Sequence, residues 1–224
     1  MISHQNKFIF IHVPKCGGMS VESALRRFGC EHVYKHGKES DSMPHLAKHA
    51  TALDFRNQIN NIKDYFKFTF VRNPWSWVVS NFAFNQGRHA PYLSNLSRSG
   101  YKIYKRHLNS HIKNNKESWS DDIKNVFEFW LEWWIKGCNP SQSMMFCDEE
   151  GKVMVDFIGK LENFEEDFNE VVGRIGIEGA SLPHRNKNKK SNIEYKEYYN
   201  QNSRNMMEEH FKKDIELFNY TFDE

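Results

Sequence analysis

The chain has 224 residues, enough for one domain with a real core, and 15% of them are aromatic against a mean hydropathy of −0.76, so a very polar surface encloses an aromatic-rich interior. With 31 basic and 29 acidic residues the formal charge is only +2, which excludes the strongly basic footprint of a general nucleic-acid binder. No run approaches the roughly 18 apolar residues of a membrane span.

The run Phe8-Ile9-Phe10-Ile11-His12-Val13 is nearly all apolar, the pattern of a short strand buried on both faces of a parallel sheet. It is too short for a signal peptide. Pro14 to Gly18 breaks it, and Val21, Ala24, Leu25 and Phe28 then recur at helical spacing. Cys30 to Lys48 is polar and irregular, residues 50–62 suit a helix, and Phe66 to Val71 reads as a second buried strand. Arg72-Asn73-Pro74 ends that strand and opens a helix to about Asn85, with Asn73 as N-cap and Pro74 in the first helical position. Residues 87–120 are rich in Asn, Ser and Lys and read as a long excursion.

Ile123, Val126, Phe127, Trp130, Leu131, Trp134 and Ile135 form a strong helical stripe. Phe129 and Trp133 form a second, offset stripe, read first as core and second as a face for a sugar or a partner. Asp148 to Gly151 has the composition of a hairpin turn, Val153 to Gly159 that of a third strand, and residues 164–175 that of a helix. A basic, Asn-rich loop spans 184–192, and a helix closes the chain around 203–218. Strands alternating with helices predict an α/β fold with a mainly parallel central sheet flanked by helices, in a single domain. The cysteines, Cys16, Cys30, Cys138 and Cys147, form no CxxC pair and have no zinc-site spacing, which fits free thiols in a reducing cytoplasm.

Two motifs carry chemistry. Pro14-Lys15-Cys16-Gly17-Gly18-Met19-Ser20 joins the first strand to its helix. Backbone N–H groups in such a loop, with a helix N-terminus behind them, bind anions. Gly17 and Gly18 allow close approach, Lys15 supplies a full charge and Ser20 a hydroxyl. The lysine precedes the glycines, unlike the order GxxxxGK[ST] of a Walker loop. The second motif is Arg72 at the carboxyl end of the second strand, with Ser80 two helical turns beyond Asn73. Taken singly, each motif has a bland reading: a two-glycine turn, or a surface arginine beside a helix serine.

Together, Phe10–Ser20 and Phe68–Pro74 resemble the sulfotransferases that use 3'-phosphoadenosine-5'-phosphosulfate (PAPS), in particular the carbohydrate branch. Val155–Asn163, Tyr195–Tyr199 and Asp214–Phe222 are similar to later segments of that family. The resemblance implies a P-loop-containing nucleotide-binding fold. It implies that Lys15, Cys16, Gly17, Gly18, Met19 and Ser20 hold the 5'-phosphosulfate, that Arg72 and Ser80 hold the 3'-phosphate, that Leu161 lies near the adenine, and that Lys189 and Lys190 close over the nucleotide. Met19 stands where the family usually has threonine, which removes one hydroxyl donor.

Sulfonate transfer needs a base for the acceptor hydroxyl, and histidine suits it. His49 is the first choice and His45 the second, with Lys15 stabilising charge on the leaving phosphate and no metal required. His12, inside the first strand, reads as a packed, hydrogen-bonded core residue. The implied product is 3'-phosphoadenosine-5'-phosphate (PAP), and the implied partner is a carbohydrate or other hydroxylated acceptor. Competing readings are a P-loop kinase using ATP, or a non-catalytic nucleotide-binding protein on the same scaffold.

Overall fold

The computed structural model describes residues 1–30, 34–35, 38–39, 49–86, 121–138, 141–183 and 194–223. His45, Lys189, Lys190, the excursion at 87–120 and the basic loop at 184–192 lie outside the described residues. Two compact units share the chain: residues 1–72 with 141–185, and residues 73–140 with 186–224. The first holds strands β1 (Ile2–Ser3), β2 (Phe8–Ile11), β3 (Tyr34–Lys35), β4 (Lys38–Glu39), β5 (Phe66–Val71) and β6 (Phe157–Lys160), with helices α1 (Gly18–Leu25), α2 (Ala52–Gln58) and α5 (Phe164–Arg174). The second holds α3 (Pro74–Gln86), α4 (Asp121–Cys138), α6 (Gln201–His210) and α7 (Lys212–Phe218).

The main sheet runs β1-β2-β5-β6, and β3 pairs with β4 in a separate antiparallel ribbon. β1 lies antiparallel to β2, while β2, β5 and β6 are mutually parallel. Phe8, Ile9, Phe10 and Ile11 are all buried, as a central strand covered on both faces requires. The register sets Phe10 beside Phe68 and Phe70 beside Gly159, and the Phe10 and Phe68 rings stack at 5.1 Å. Thr69 Oγ1 donates to the Ile11 carbonyl at 2.9 Å, fastening the last turn of β2 to β5.

The third strand is shorter than the sequence pattern predicts. Asp148 closes the expected turn, accepting from Lys152 N–H at 2.7 Å and Glu150 N–H at 3.1 Å, with Gly151 at φ +84°. Val153 then makes only a lone antiparallel bridge to Cys147, and the parallel ladder begins at Phe157. Asp156 forces that start: its carboxylate meets the Lys67 ammonium at 2.7 Å and accepts from the Lys67 N–H.

In the second unit, Asn73 caps α3 as expected, its Oδ1 accepting from Trp75 N–H at 3.1 Å and Ser76 N–H at 3.2 Å. Phe127, Trp130, Leu131 and Trp134 are buried along α4 and pack with Phe82, Tyr198 and Phe211. Phe129 and Trp133 are 42% and 37% exposed. The core reading of that second stripe is therefore corrected: an offset of about 100° per residue turns it away from the packed side. The closing helix is also two helices. Phe211 leaves helical geometry at φ −99°, ψ 16° and buries its ring against Trp77 and Trp134.

Candidate active site

Both motifs of the first unit sit at one end of the sheet because their strands are parallel neighbours. β2 leads to the loop 14–17, β5 leads to Arg72, and β6, beyond β5, leads to the single turn Leu161–Asn163. The carboxyl ends of parallel strands are where α/β sheets take ligands.

The loop has the backbone of an anion nest. Lys15 lies at φ +66° and Gly17 at φ +78°, while Cys16 and Gly18 do not have positive φ. This alternation turns successive N–H groups toward one side. Gly17 and Gly18 head α1, whose first turn is drawn tight by Ser20 N–H donating to the Gly17 carbonyl at 2.8 Å. Negative charge is favoured at such a helix start.

Neither glycine admits a side chain. A Cβ on Gly17 would stand 2.8 Å from Phe164 Cζ and 2.9 Å from Leu161 Cδ1; one on Gly18 would stand 2.4 Å from His12 Cδ2 and Nε2. Phe164 meets Phe70 edge-on at 5.0 Å, and Phe70 lies across Gly159, where a Cβ would come within 2.4 Å of its ring. An aromatic column thus rises from β6 through β5 to the underside of the loop. Cys16 is buried and donates from Sγ to Gln142 Oε1 at 3.2 Å, so what it offers an anion is its main chain. Met19 is 57% exposed and Ser20 is buried on α1.

Two histidines pack against each other next to the loop. His12 is buried, and its Nδ1–H donates to Glu22 Oε1 at 2.6 Å, the packed, hydrogen-bonded role expected of it. His49 is exposed, packs edge-on against His12 at 4.9 Å, and its Nδ1–H donates to the His12 carbonyl at 3.2 Å. Because Nδ1 carries the hydrogen in that bond, Nε2 is the proton acceptor of the neutral ring. Arg72, half-buried, has both main-chain groups hydrogen-bonded to the Gln142 amide, through N–H at 2.9 Å and C=O at 2.8 Å. Ser80 belongs to the second unit, half-buried on α3.

Sequence reasoning missed Glu22, Phe164 and Gln142. Glu22 lies two residues past the end of the glycine motif, and Phe164 opens a helix that carries no motif. Gln142 lies 70 residues from Arg72 and 126 from Cys16, and nothing in its local composition marks it.

A parallel α/β sheet with a nest-forming glycine loop after one strand and an arginine after its neighbour defines a nucleotide-binding protein of the P-loop type. The sequence model of the sulfotransferase family matches residues 1–221, so the chain belongs to the sulfotransferase family and is a sulfotransferase enzyme, in a family that generally takes its sulfonate from PAPS. It is also similar to an uncharacterized protein of Archaeoglobus fulgidus, 29% identical over 114 residues that cover 50% of this chain and 69% of the relative.

Proposed function

We propose that the chain transfers a sulfonate group from PAPS to a hydroxyl of a carbohydrate. One observation carries the donor: a nest at Lys15–Gly18 and a guanidinium at Arg72 follow adjacent parallel strands, which suits a nucleotide phosphorylated at two separate positions. The cradle fits such a group, since the left-handed Lys15 and Gly17 alternate with Cys16 and Gly18 and turn successive loop N–H groups toward one side. The loop's N–H groups and Lys15 would hold the 5'-phosphosulfate, and Arg72 the 3'-phosphate. Ser80's expected part in the latter rests on the resemblance alone. When bound, the donor supplies an activated sulfonate whose departure leaves negative charge on the 5'-phosphate. Lys15 offsets that charge, and His49 Nε2 takes the acceptor's hydroxyl proton.

The carbohydrate acceptor rests on the resemblance, and exposed Phe129 and Trp133 are rings of the kind that stack on sugars. A cytoplasmic location belongs to the same proposal, supported by the free thiols of Cys16, Cys30 and Cys147.

Calorimetric titration with PAP, ATP and ADP tests the donor. PAP should bind in preference, and Arg72→Ala should weaken it by about tenfold to a hundredfold, the worth of hydrogen bonds to a charged group. Equal or better binding of ATP, indifferent to Arg72, would overturn the reading in favour of a kinase. Transfer of labelled sulfonate to a panel of oligosaccharides and non-sugar alcohols tests the acceptor, and turnover confined to the non-sugars would refute a carbohydrate.

A further inference from the structure

Gln142 is fully buried, and its whole amide is engaged. Oε1 accepts from the Arg72 N–H at 2.9 Å and from Cys16 Sγ at 3.2 Å, while Nε2 donates to the Arg72 carbonyl at 2.8 Å. The two bonds to Arg72 form a ring between one amide side chain and one residue's main chain. Arg72 is one position beyond the last β5–β6 pair, Val71 with Lys160. Its N–H and C=O stand past the end of that pair, and main-chain groups there take hydrogen-bond partners. By taking both, Gln142 fixes the backbone from which the Arg72 side chain departs. The third bond reaches the loop at Cys16, between the left-handed Lys15 and Gly17. A single side chain therefore touches both anion-binding motifs, holding the main chain at Arg72 and the thiol of Cys16 in the loop.

We propose that Gln142 is a positioning residue for the donor, setting the spacing between the loop that takes the 5'-phosphosulfate and the arginine that takes the 3'-phosphate. It thereby confers preference for a nucleotide phosphorylated at both positions. This rests on the role of Arg72 given above. A residue that merely supported the fold would weaken every nucleotide alike when removed. A positioning residue removes only the part of the affinity that depends on the 3'-phosphate.

The test is the ratio of AMP to PAP dissociation constants, measured by calorimetry on the full chain. It compares wild type, Gln142→Met, Arg72→Ala and the double variant. Gln142→Met should lower the ratio by about tenfold, the effect of putting one charge-assisted hydrogen bond out of reach, and should lower it no further in the Arg72→Ala background. If Arg72→Ala lowers the ratio and Gln142→Met does not, the positioning role is overturned while the role of Arg72 stands. If Gln142→Met weakens AMP and PAP equally, its role is structural only. If Arg72→Ala leaves the ratio unchanged, both fail together, and the Arg72 arm says so. Should Gln142→Met not accumulate as folded protein, Gln142→Asn carries the same test. Its amide is neutral and one methylene shorter, so it adds no charge beside the phosphates while drawing back from the Arg72 main chain.

Discussion

Gly18→Ala asks whether the floor of the loop is as rigid as its contacts imply. Gly18 heads α1 without a positive φ, so no backbone strain opposes an alanine there. On propensity alone the change would stabilise, by up to about 1 kcal/mol. The added Cβ, however, would meet His12 Cδ2 and Nε2 at 2.4 Å, and the ring would have to retreat by about 1 Å to reach the 3.4 Å of ordinary contact. That ring is buried and tied to Glu22 at 2.6 Å, so it cannot swing aside without loosening the bond. Overpacking costs about 1–3 kcal/mol, and a weakened hydrogen bond to a carboxylate adds a share of its about 1.5–3 kcal/mol. We expect a net loss of about 3 kcal/mol, which in a chain of this size lowers Tm by about 6–12 °C. Thermal and urea unfolding measure it, and the diagnostic arm is a double-mutant cycle with His12→Ala. Without the ring, Gly18→Ala should become neutral or stabilising, a coupling of about 3–4 kcal/mol. Additive losses, or a Gly18→Ala protein as stable as wild type, would refute the reasoning.

Gly17→Ala should cost about 1–3 kcal/mol more than Gly176→Ala, because both meet the left-handed penalty of about 1–2 kcal/mol but only Gly17 faces a ring within 2.8 Å. Paired urea titrations decide it, and equal losses would show that the Phe164 contact yields freely. His49→Gln should lower the transfer rate by about 10²–10⁴-fold and leave PAP affinity nearly unchanged; undiminished turnover would remove His49 as the base. The Cys30 thiol is pushed up to about 11 chiefly by burial, so in the folded protein its alkylation at pH 8 should be slow and should climb with pH past the ordinary thiol range. Because the unfolded thiol loses its proton first, this group should make stability fall as pH rises from about 9 to about 11. Peptide mapping that finds Cys30 labelled at pH 8 as fast as a small thiol would contradict that.

What could be read from the sequence was what local chemistry decides. Phe66–Val71 shows as a strand because Phe66, Phe68 and Phe70 recur at every second position, the period of a strand, and the cap at Asn73 because one side chain satisfies the next residues' N–H groups. The glycine loop was legible because its residue types and their order are themselves the device. The start of β6 was misplaced because Val153 and Val155 fit a strand by composition, whereas the ladder begins where Asp156 meets Lys67, 89 residues away. The break at Phe211 was invisible for a similar reason: its ring is as good a core residue in one helix as between two. Gln142 shows the limit most clearly. Its three hydrogen bonds are ordinary, and only the fold decides what they hold.

The loop's own strain shows why such distant residues matter. Lys15, which has a Cβ, sits in the left-handed region at φ +66°, a conformation that costs about 1–2 kcal/mol and persists only where the surroundings over-determine it. Three restraints do so here. Cys16 is drawn inward to Gln142, Phe164 closes the space under Gly17, and His12 closes the space under Gly18. Each comes from a different part of the first unit, and each acts on the buried side of the loop. The loop's N–H groups are turned to one side by its alternating backbone. The three restraints act at Cys16, Gly17 and Gly18, so the loop's shape is secured at positions other than 19, where methionine stands and the family usually has threonine.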